Sequence, residues 1–204
     1  MYKQKWTKLL ESLVPTNAGP IQEMDASEQE LSAFASSDKD VLPAKTVKPL
    51  QLDSDGYPLD SADIARWAET CLADQIVVLP RAQRALRGSR HPDPRRISEA
   101  LVLLAGHKLM GYRGVPSIIG EFESGLLKLR MRDGFSNAER LKGRTGADYV
   151  VEFDGRRLLL ERHLCSNSSG FNDPRMIRIY YAFDKVSQKI IIGWLPSHLQ
   201  TSKS

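Results

Sequence analysis

Four short segments of β character near the C-terminal end constrain the fold most strongly. They are Tyr149–Phe153, Arg157–Leu164, Met176–Phe183 and Lys189–Leu195. Asp154-Gly155 separates the first two, and an Asp-Gly pair between such segments indicates a tight hairpin. Met176–Phe183 alternates between apolar and polar residues as a strand does, and short connections between successive strands predict antiparallel pairing. The pattern therefore predicts an antiparallel meander of four strands.

Helical patterns precede this meander. Gln75–Leu79 is a short β-branched segment that Pro80 ends, as in a strand. Apolar residues at helical spacing then predict three helices, over Arg81–Arg90, Arg95–Met110 and Ile118–Met131. A strand and helices followed by sequential antiparallel strands define an α+β fold. We expect this domain to span residues 75–204.

The first part of the chain has a different composition. Residues 1–58 are rich in Ser, Asp, Ala and Pro, apart from an amphipathic pattern at 3–13, and are expected to form an acidic, partly ordered accessory arm. Asp60 and Ser61 can cap a helix over Ala62–Leu72, within a short helical unit at 59–74. The arm is also a candidate segment for docking a protein partner.

Charge is divided unevenly along the chain. Residues 1–75 hold seven Lys/Arg against thirteen Asp/Glu, a net charge of −6, whereas residues 76–204 hold 22 against 12, a net charge of +10. Sixteen of those 22 basic residues are arginines, whose guanidinium groups bind phosphates in a bidentate manner. A polyanion, and RNA before DNA, is therefore the expected partner. The arginines expected to bind it are Arg81, Arg84, Arg95, Arg96, Arg162 and Arg175.

Several classes of protein do not fit the sequence. Its apolar runs are too short to span a bilayer, and the basic N-terminus lacks the apolar region of a signal peptide. The only two cysteines, Cys71 and Cys165, lie far apart, so we expect no disulfide framework and a cytoplasmic protein. Neither a Walker motif nor zinc-ligand spacing is present, so no cofactor and no metal are expected.

Candidate catalytic residues lie on the polar faces of the predicted strands. Counting alternate residues places Glu161 and His163 together, and places Arg178 and Tyr180 opposite the apolar face of Met176–Phe183. His198 follows the last strand. One such group could activate a ribose 2′-hydroxyl and another protonate the leaving oxygen, while arginine offsets the phosphate charge. These residues predict RNA cleavage without a metal ion.

Three segments together resemble a known family. Gln75–Leu86, Arg95–Ala105 and Met176–Ile192, the last with Arg178-Ile179-Tyr180-Tyr181, are similar to the opening strand and helix, second helix and central strands of the RelE/ParE toxin superfamily. Its members are small bacterial ribosome-dependent RNases and gyrase poisons. The resemblance covers about residues 75–200 and implies a toxin or defence effector acting at the ribosome, with Arg178 and Tyr180 on the active face.

This chain departs from the family in two ways. It has an extra segment from about Gly106 to Gly146, and few lysines where the family's RNases often use them. His163 or His198 would then have to move the proton. Two other functions stay open: a non-catalytic nucleic-acid-binding or protein-interaction module, and a metal nuclease of the PD-(D/E)XK kind. The latter would use Asp154 and Glu161, but His163 replaces its lysine.

Overall fold

The computed structural model describes residues 48–115, 118–136, 146–167, 173 and 175–199. Most of the predicted accessory arm, including the possible helix at 3–13, lies outside these ranges. In the part of the chain that is described, no helix is long and apolar enough to cross a membrane.

Five strands form one mixed sheet, in the spatial order β1-β7-β6-β5-β2. They are β1 (Ile76–Val78), β2 (Met131–Phe135), β5 (Arg162–Ser166), β6 (Arg178–Asp184) and β7 (Lys189–Trp194). Strand β1 runs parallel to β7, and the other neighbours are antiparallel. The remaining two strands, β3 (Val150–Phe153) and β4 (Arg156–Leu159), form a separate hairpin. The α+β fold predicted from the sequence is confirmed, with β5, β6 and β7 as the meander.

The helices cover one face of the sheet. They are α1 (Ile64–Cys71), α2 (Pro80–Gly88), α3 (Pro94–Leu103), α4 (Leu109–Tyr112) and α5 (Ile119–Lys128). A π-helical segment at Leu104–Lys108 joins α3 to α4. Proline starts both α2 and α3, where its missing N–H costs no hydrogen bond, and the Asp93 carboxylate accepts the Arg96 N–H to cap α3.

Each face of the sheet has its own apolar core. On the helical face, Ile179, Tyr181 and Ile192 are fully buried. The opposite face buries Tyr180 and Ile191 beneath the β3–β4 hairpin. The predicted alternation of β6 is therefore confirmed, because successive side chains point to opposite faces.

The predicted strand over Arg157–Leu164 is wrong as a single element. The Glu161 N–H bonds to the Leu159 carbonyl two residues back, a tight turn that ends β4 and separates it from β5. Leu160 turns into the core under the hairpin and is fully buried. Consequently β3 and β4 are not part of the main sheet, and the predicted four-stranded meander has only three strands. The turn between them is correct as predicted, with Asp154 and Gly155 both at positive φ.

The third predicted helix is too long at its C-terminal end. Helix α5 stops at Lys128, Arg130 adopts a positive φ of 50°, and Met131 begins the edge strand β2. Sequence reasoning did not find β2.

Residues before the predicted 75–204 domain contribute to the same core. Ile64 and Trp67 of α1 are fully buried in it, and Leu50 and Leu52 pack against it. The Trp67 indole N–H donates to the Gly56 carbonyl at 2.9 Å. The packed part of the chain therefore begins near Leu50.

Candidate functional site

The Tyr180 ring lies at the centre of the predicted catalytic cluster. The His163 ring stacks on it, with 5.1 Å between centroids and 25° between planes. His198 approaches its edge at 6.4 Å and 74°. Only 1% of Tyr180 is exposed. We call Tyr180, His163, His198 and Arg178 the Tyr180 cluster, and its members converge on one face of the sheet.

Strand register explains this convergence. His163 of β5 pairs with Tyr180 of β6, and in the next row Arg132, Cys165 and Arg178 are cross-strand partners. Directly paired residues share a face of the sheet. His198 joins from the segment after β7, because the Arg178 N–H donates to the Pro196 carbonyl and holds that segment beside β6.

Two arginines bring positive charge to the cluster. Burial raises the pKa of the Tyr180 hydroxyl, and the neighbouring Arg178 guanidinium partly opposes this effect. The Arg178 Nε contacts the Met176 Sδ at 3.2 Å. The Arg132 Nε donates to the Cys165 Sγ at 3.1 Å. Neither arginine forms an ion pair with an acidic side chain of the described residues. Their charge is thus available to an anionic ligand. Arg132 was not selected from the sequence, because strand β2 was not predicted.

Burial determines the protonation of His163. Desolvation, followed by the charge of Arg178, lowers its pKa to about 4, against a weaker opposing effect of Asp133. The His163 Nδ1 is buried and has no hydrogen-bond partner among the described residues. His163 is therefore neutral at pH 7, so it can accept a proton as a general base but cannot act as a general acid. This differs from the near-neutral pKa that an exposed histidine would have.

Glu161 does not join the cluster. Its backbone carbonyl accepts the Ser136 N–H at 2.7 Å and its side chain is exposed. Among the described residues, its carboxylate acts on the pKa of Tyr112, which stacks on Phe183 at the helical face. The PD-(D/E)XK interpretation also paired Glu161 with Asp154, which lies in the β3–β4 turn of the separate hairpin.

The six arginines predicted to bind nucleic acid divide into two groups. Four of them form ion pairs or hydrogen bonds with other groups of the protein. Arg95 pairs with Asp53, Asp55 and Glu99, and Arg162 pairs with Asp133. Arg81 and Arg96 donate to backbone carbonyls. Only Arg84 and Arg175 are exposed without a side-chain partner in the described part of the chain. The same holds for four arginines that the sequence reasoning did not select, namely Arg87, Arg90, Arg130 and Arg157.

A buried ionic network lies on the helical face, behind the Tyr180 cluster. The Asp133 carboxylate, 8% exposed, accepts hydrogen bonds from Arg162 at 2.6 Å, Lys108 at 2.7 Å and Tyr181 at 2.8 Å. Burial alone would raise the pKa of Asp133, but these three hydrogen bonds outweigh it and lower the pKa. The network ties β2 to β5, β6 and the helical layer.

Other features lie away from the cluster. An open groove of about 650 Å³ is lined by residues of α3 and α5, including Leu103, His107 and Gly125. In the described ranges, no group of three or more His, Cys, Asp or Glu side chains is placed to hold a metal ion. Comparison with known proteins finds no matching family model, no significantly similar curated protein and no significantly similar solved structure. The likeness to the RelE/ParE superfamily thus stays a prediction from the sequence.

Proposed function

We propose that this domain binds RNA at the Tyr180 cluster and cleaves it without a metal ion. The observation that carries the proposal is the convergence of Arg178 and two histidines around Tyr180 on one face of the sheet. The net charge of +10 over residues 76–204 supports a polyanionic substrate. The order of strand, helices and antiparallel strands also fits the resemblance to ribosome-dependent RNases.

Each member of the cluster has a distinct role in this proposal. Arg178 binds the scissile phosphate and stabilises the charge that develops on it. Neutral His163 takes the proton of the ribose 2′-hydroxyl, and His198 acts as the general acid that gives a proton to the departing 5′-oxygen. The products are a 2′,3′-cyclic phosphate and a free 5′-hydroxyl. Tyr180 is a positioning residue, since its buried ring stacks on His163 and it lies on the same strand face as Arg178.

The low pKa of His163 suits a substrate-dependent base. A base with a pKa of about 4 is weak in the free protein. A bound phosphate places negative charge beside the imidazole, and a nearby opposite charge favours the protonated form. Substrate binding therefore raises the pKa of His163 toward neutrality and strengthens it as a base.

The test uses the full chain with RNA, in the presence and absence of translating ribosomes. Arg178→Ala should reduce cleavage about 10²-fold or more, the scale seen when one transition-state donor is removed. Arg157→Ala is the matched control, because it removes an exposed hairpin arginine that has no side-chain partner among the described residues. EDTA should leave cleavage intact, and the products should end in cyclic phosphate. Cleavage abolished by EDTA and restored by Mg²⁺ would instead favour the metal-nuclease hypothesis.

Burial of Tyr180 gives one specific argument for the second candidate, a binding module without catalysis. A ring that is 1% exposed cannot contact a ligand directly. On this alternative, Arg178→Ala lowers RNA affinity in an anisotropy assay, and no cleavage occurs with or without ribosomes. The two functions thus differ in one measurement, the appearance of cleaved ends.

A further inference from the structure

Three exposed arginines lie at the end of the sheet where β5 ends and where β2 and β6 begin. Arg130 directly precedes β2, and its carbonyl accepts the Asn167 N–H at 3.0 Å, just beyond β5. Arg175 lies three residues before β6. Burial lowers the pKa of His91, and the backbone of Arg175, which lies near this ring, partly opposes that effect. Arg90 is the neighbour of His91 in the chain. We call Arg90, Arg130 and Arg175 the basic rim.

The charges of the basic rim are not neutralised by the protein. All three side chains are exposed and have no side-chain partner in the described part of the chain. The nearby carboxylates of Asp93 and Asp173 accept backbone N–H groups, from Arg96 and Arg175 respectively. In contrast, Arg95 on α3 is surrounded by three carboxylates. The rim therefore brings together three exposed guanidinium groups that form no side-chain ion pair among the described residues.

The basic rim is continuous with the Tyr180 cluster. Arg175 is followed three residues later by Arg178, a separation of about 10 Å in extended chain. Arg130 is followed two residues later by Arg132, which shares a cross-strand row with Arg178. Cationic side chains thus recur at intervals of two or three residues from the cluster to the end of the sheet.

We infer that the basic rim binds the phosphates of RNA nucleotides that flank the one held in the Tyr180 cluster. The inference rests on the proposed function and specifies its substrate as single-stranded RNA longer than the cluster itself. Arginine suits this role, because its planar guanidinium binds phosphate oxygens in pairs. Contacts of this kind position a strand without reading its sequence.

The test compares two double variants of the full chain that remove the same charge. Arg130→Gln/Arg175→Gln changes the rim, and Arg157→Gln/Lys185→Gln changes the hairpin and the β6–β7 turn. All four side chains are exposed and have no side-chain partner among the described residues, so neither variant disturbs the packing. Affinity is measured against salt with single-stranded RNAs of about four and about twelve nucleotides, lengths within the range of single-strand binding sites.

The rim variant should bind the longer RNA more weakly. The slope of its log affinity against log salt concentration should become less steep by about 1.4, because each lost phosphate contact removes about 0.7 on single strands. Affinity for the shorter RNA should stay unchanged. Equal losses in both double variants would overturn the inference, because net charge alone would then explain them. A loss on the short RNA as large as on the long one would also overturn it. If the unmodified protein binds neither RNA, the proposed function itself fails, which is a separate outcome.

Discussion

The pKa of His163 connects the chemistry of the Tyr180 cluster to the stability of the fold. In the folded protein, burial and the charge of Arg178 hold this pKa near 4, whereas the ordinary histidine value is 6.5. In the unfolded chain neither effect acts, so the imidazole protonates at its ordinary pKa. Between these two values the unfolded state binds more protons, and stability rises with pH wherever that is so. A depressed histidine pKa therefore destabilises the fold in mild acid.

We predict that the free energy of unfolding falls as pH is lowered from about 6.5 to about 4, and that His163→Gln reduces this dependence. Urea unfolding at a series of pH values measures it. His91 and His107 also have pKa values lowered by burial, so the informative quantity is the difference in slope between the two proteins. Superimposable pH profiles would contradict the stated pKa of His163.

Asp133 differs from His163, because the partners of its carboxylate stabilise the charged form. Its pKa is lowered because Arg162, Lys108 and Tyr181 outweigh the effect of burial. The carboxylate therefore contributes fully to the free energy of unfolding above the ordinary carboxyl pKa. This contribution is lost as the pH falls through the lower pKa that Asp133 has in the folded protein. Removing its charge leaves two cations partly buried without an anion, and breaking such a pair is strongly destabilising.

Asp133→Asn should lower the free energy of unfolding by about 3 kcal/mol at neutral pH. Asp154→Asn makes the same chemical change at an exposed site, where the nearest cation is Arg156 at 3.8 Å. That control should shift stability by no more than about 0.5 kcal/mol, because exposed ion pairs contribute little and asparagine tolerates the positive φ at this turn. Similar effects of both substitutions in urea unfolding would show that the network is not a stabilising element.

Secondary-structure elements could be predicted from the sequence where their signal is local. Strand β6 shows clear alternation, and the β3–β4 turn has its Asp-Gly pair, so both agree with the prediction. Strand β2 has Arg132-Asp133-Gly134 at its centre and lacks an apolar pattern. Its Asp133 is neutralised by Arg162 of β5, a contact between distant parts of the chain. Local patterns contain no information about such contacts.

The candidate site could likewise be predicted only where local patterns, and not distant contacts, determine it. Counting alternate residues was sufficient to place Arg178 and Tyr180 on one face of β6, and the pairing of β5 with β6 brings His163 to the same face. It could not show that Tyr180 is buried, because the covering hairpin joins the sheet only through tertiary packing. Likewise, composition identified an excess of arginines but could not tell Arg162, which is paired, from Arg130, which is not.

The contact between the hairpin segment and the sheet depends on a glycine. A Cβ on Gly193 of β7 would lie 2.4 Å from the Leu160 Cδ1, far inside van der Waals contact. Leu160 is fully buried, so little space is available for it to move. Only glycine lets this part of the chain approach β7 so closely.

Gly193→Ala should therefore lower the free energy of unfolding by about 1–3 kcal/mol, the usual cost of overpacking a core. Gly120→Ala is the control, since a Cβ there meets nothing within 4 Å and the residue lies inside helix α5. It should raise stability by about 0.5–1 kcal/mol, because alanine favours helix. If Gly193→Ala were as harmless as the control, the packing of Leu160 on β7 would be looser than described.

At the scale of the whole molecule, some of the acidic residues before residue 76 form ion pairs within the fold. Asp53 and Asp55 pair with Arg95, and Asp63 pairs with Arg66. The remaining concentration lies outside the described ranges, at 11–40, with seven Asp/Glu and one Lys. Because residues from Leu50 onward pack in the core, an accessory arm that can be removed without harming the fold ends before them.

The final prediction concerns this acidic segment and RNA binding. Opposite charges on one chain have a high effective concentration, so carboxylates at 11–40 should compete with RNA for the uncompensated arginines of the basic rim and the Tyr180 cluster. Replacing the seven carboxylates by Gln and Asn in the full chain should increase RNA affinity at low salt. The gain should vanish near 1 M salt, where charges are screened beyond about 3 Å.

Deletion of residues 1–47 should give a gain of the same sign, without removing Leu50 or Leu52 from the core. A full chain with seven Ser, Thr or Gln side chains of the arm exchanged for other neutral polar ones is the control, and its RNA affinity should equal that of the unmodified protein. Fluorescence anisotropy with one RNA at several salt concentrations measures all four proteins. Equal affinities throughout would contradict electrostatic competition. The arm would then be left with its other predicted role, in which it binds a partner protein and the basic surface stays open to RNA at all times.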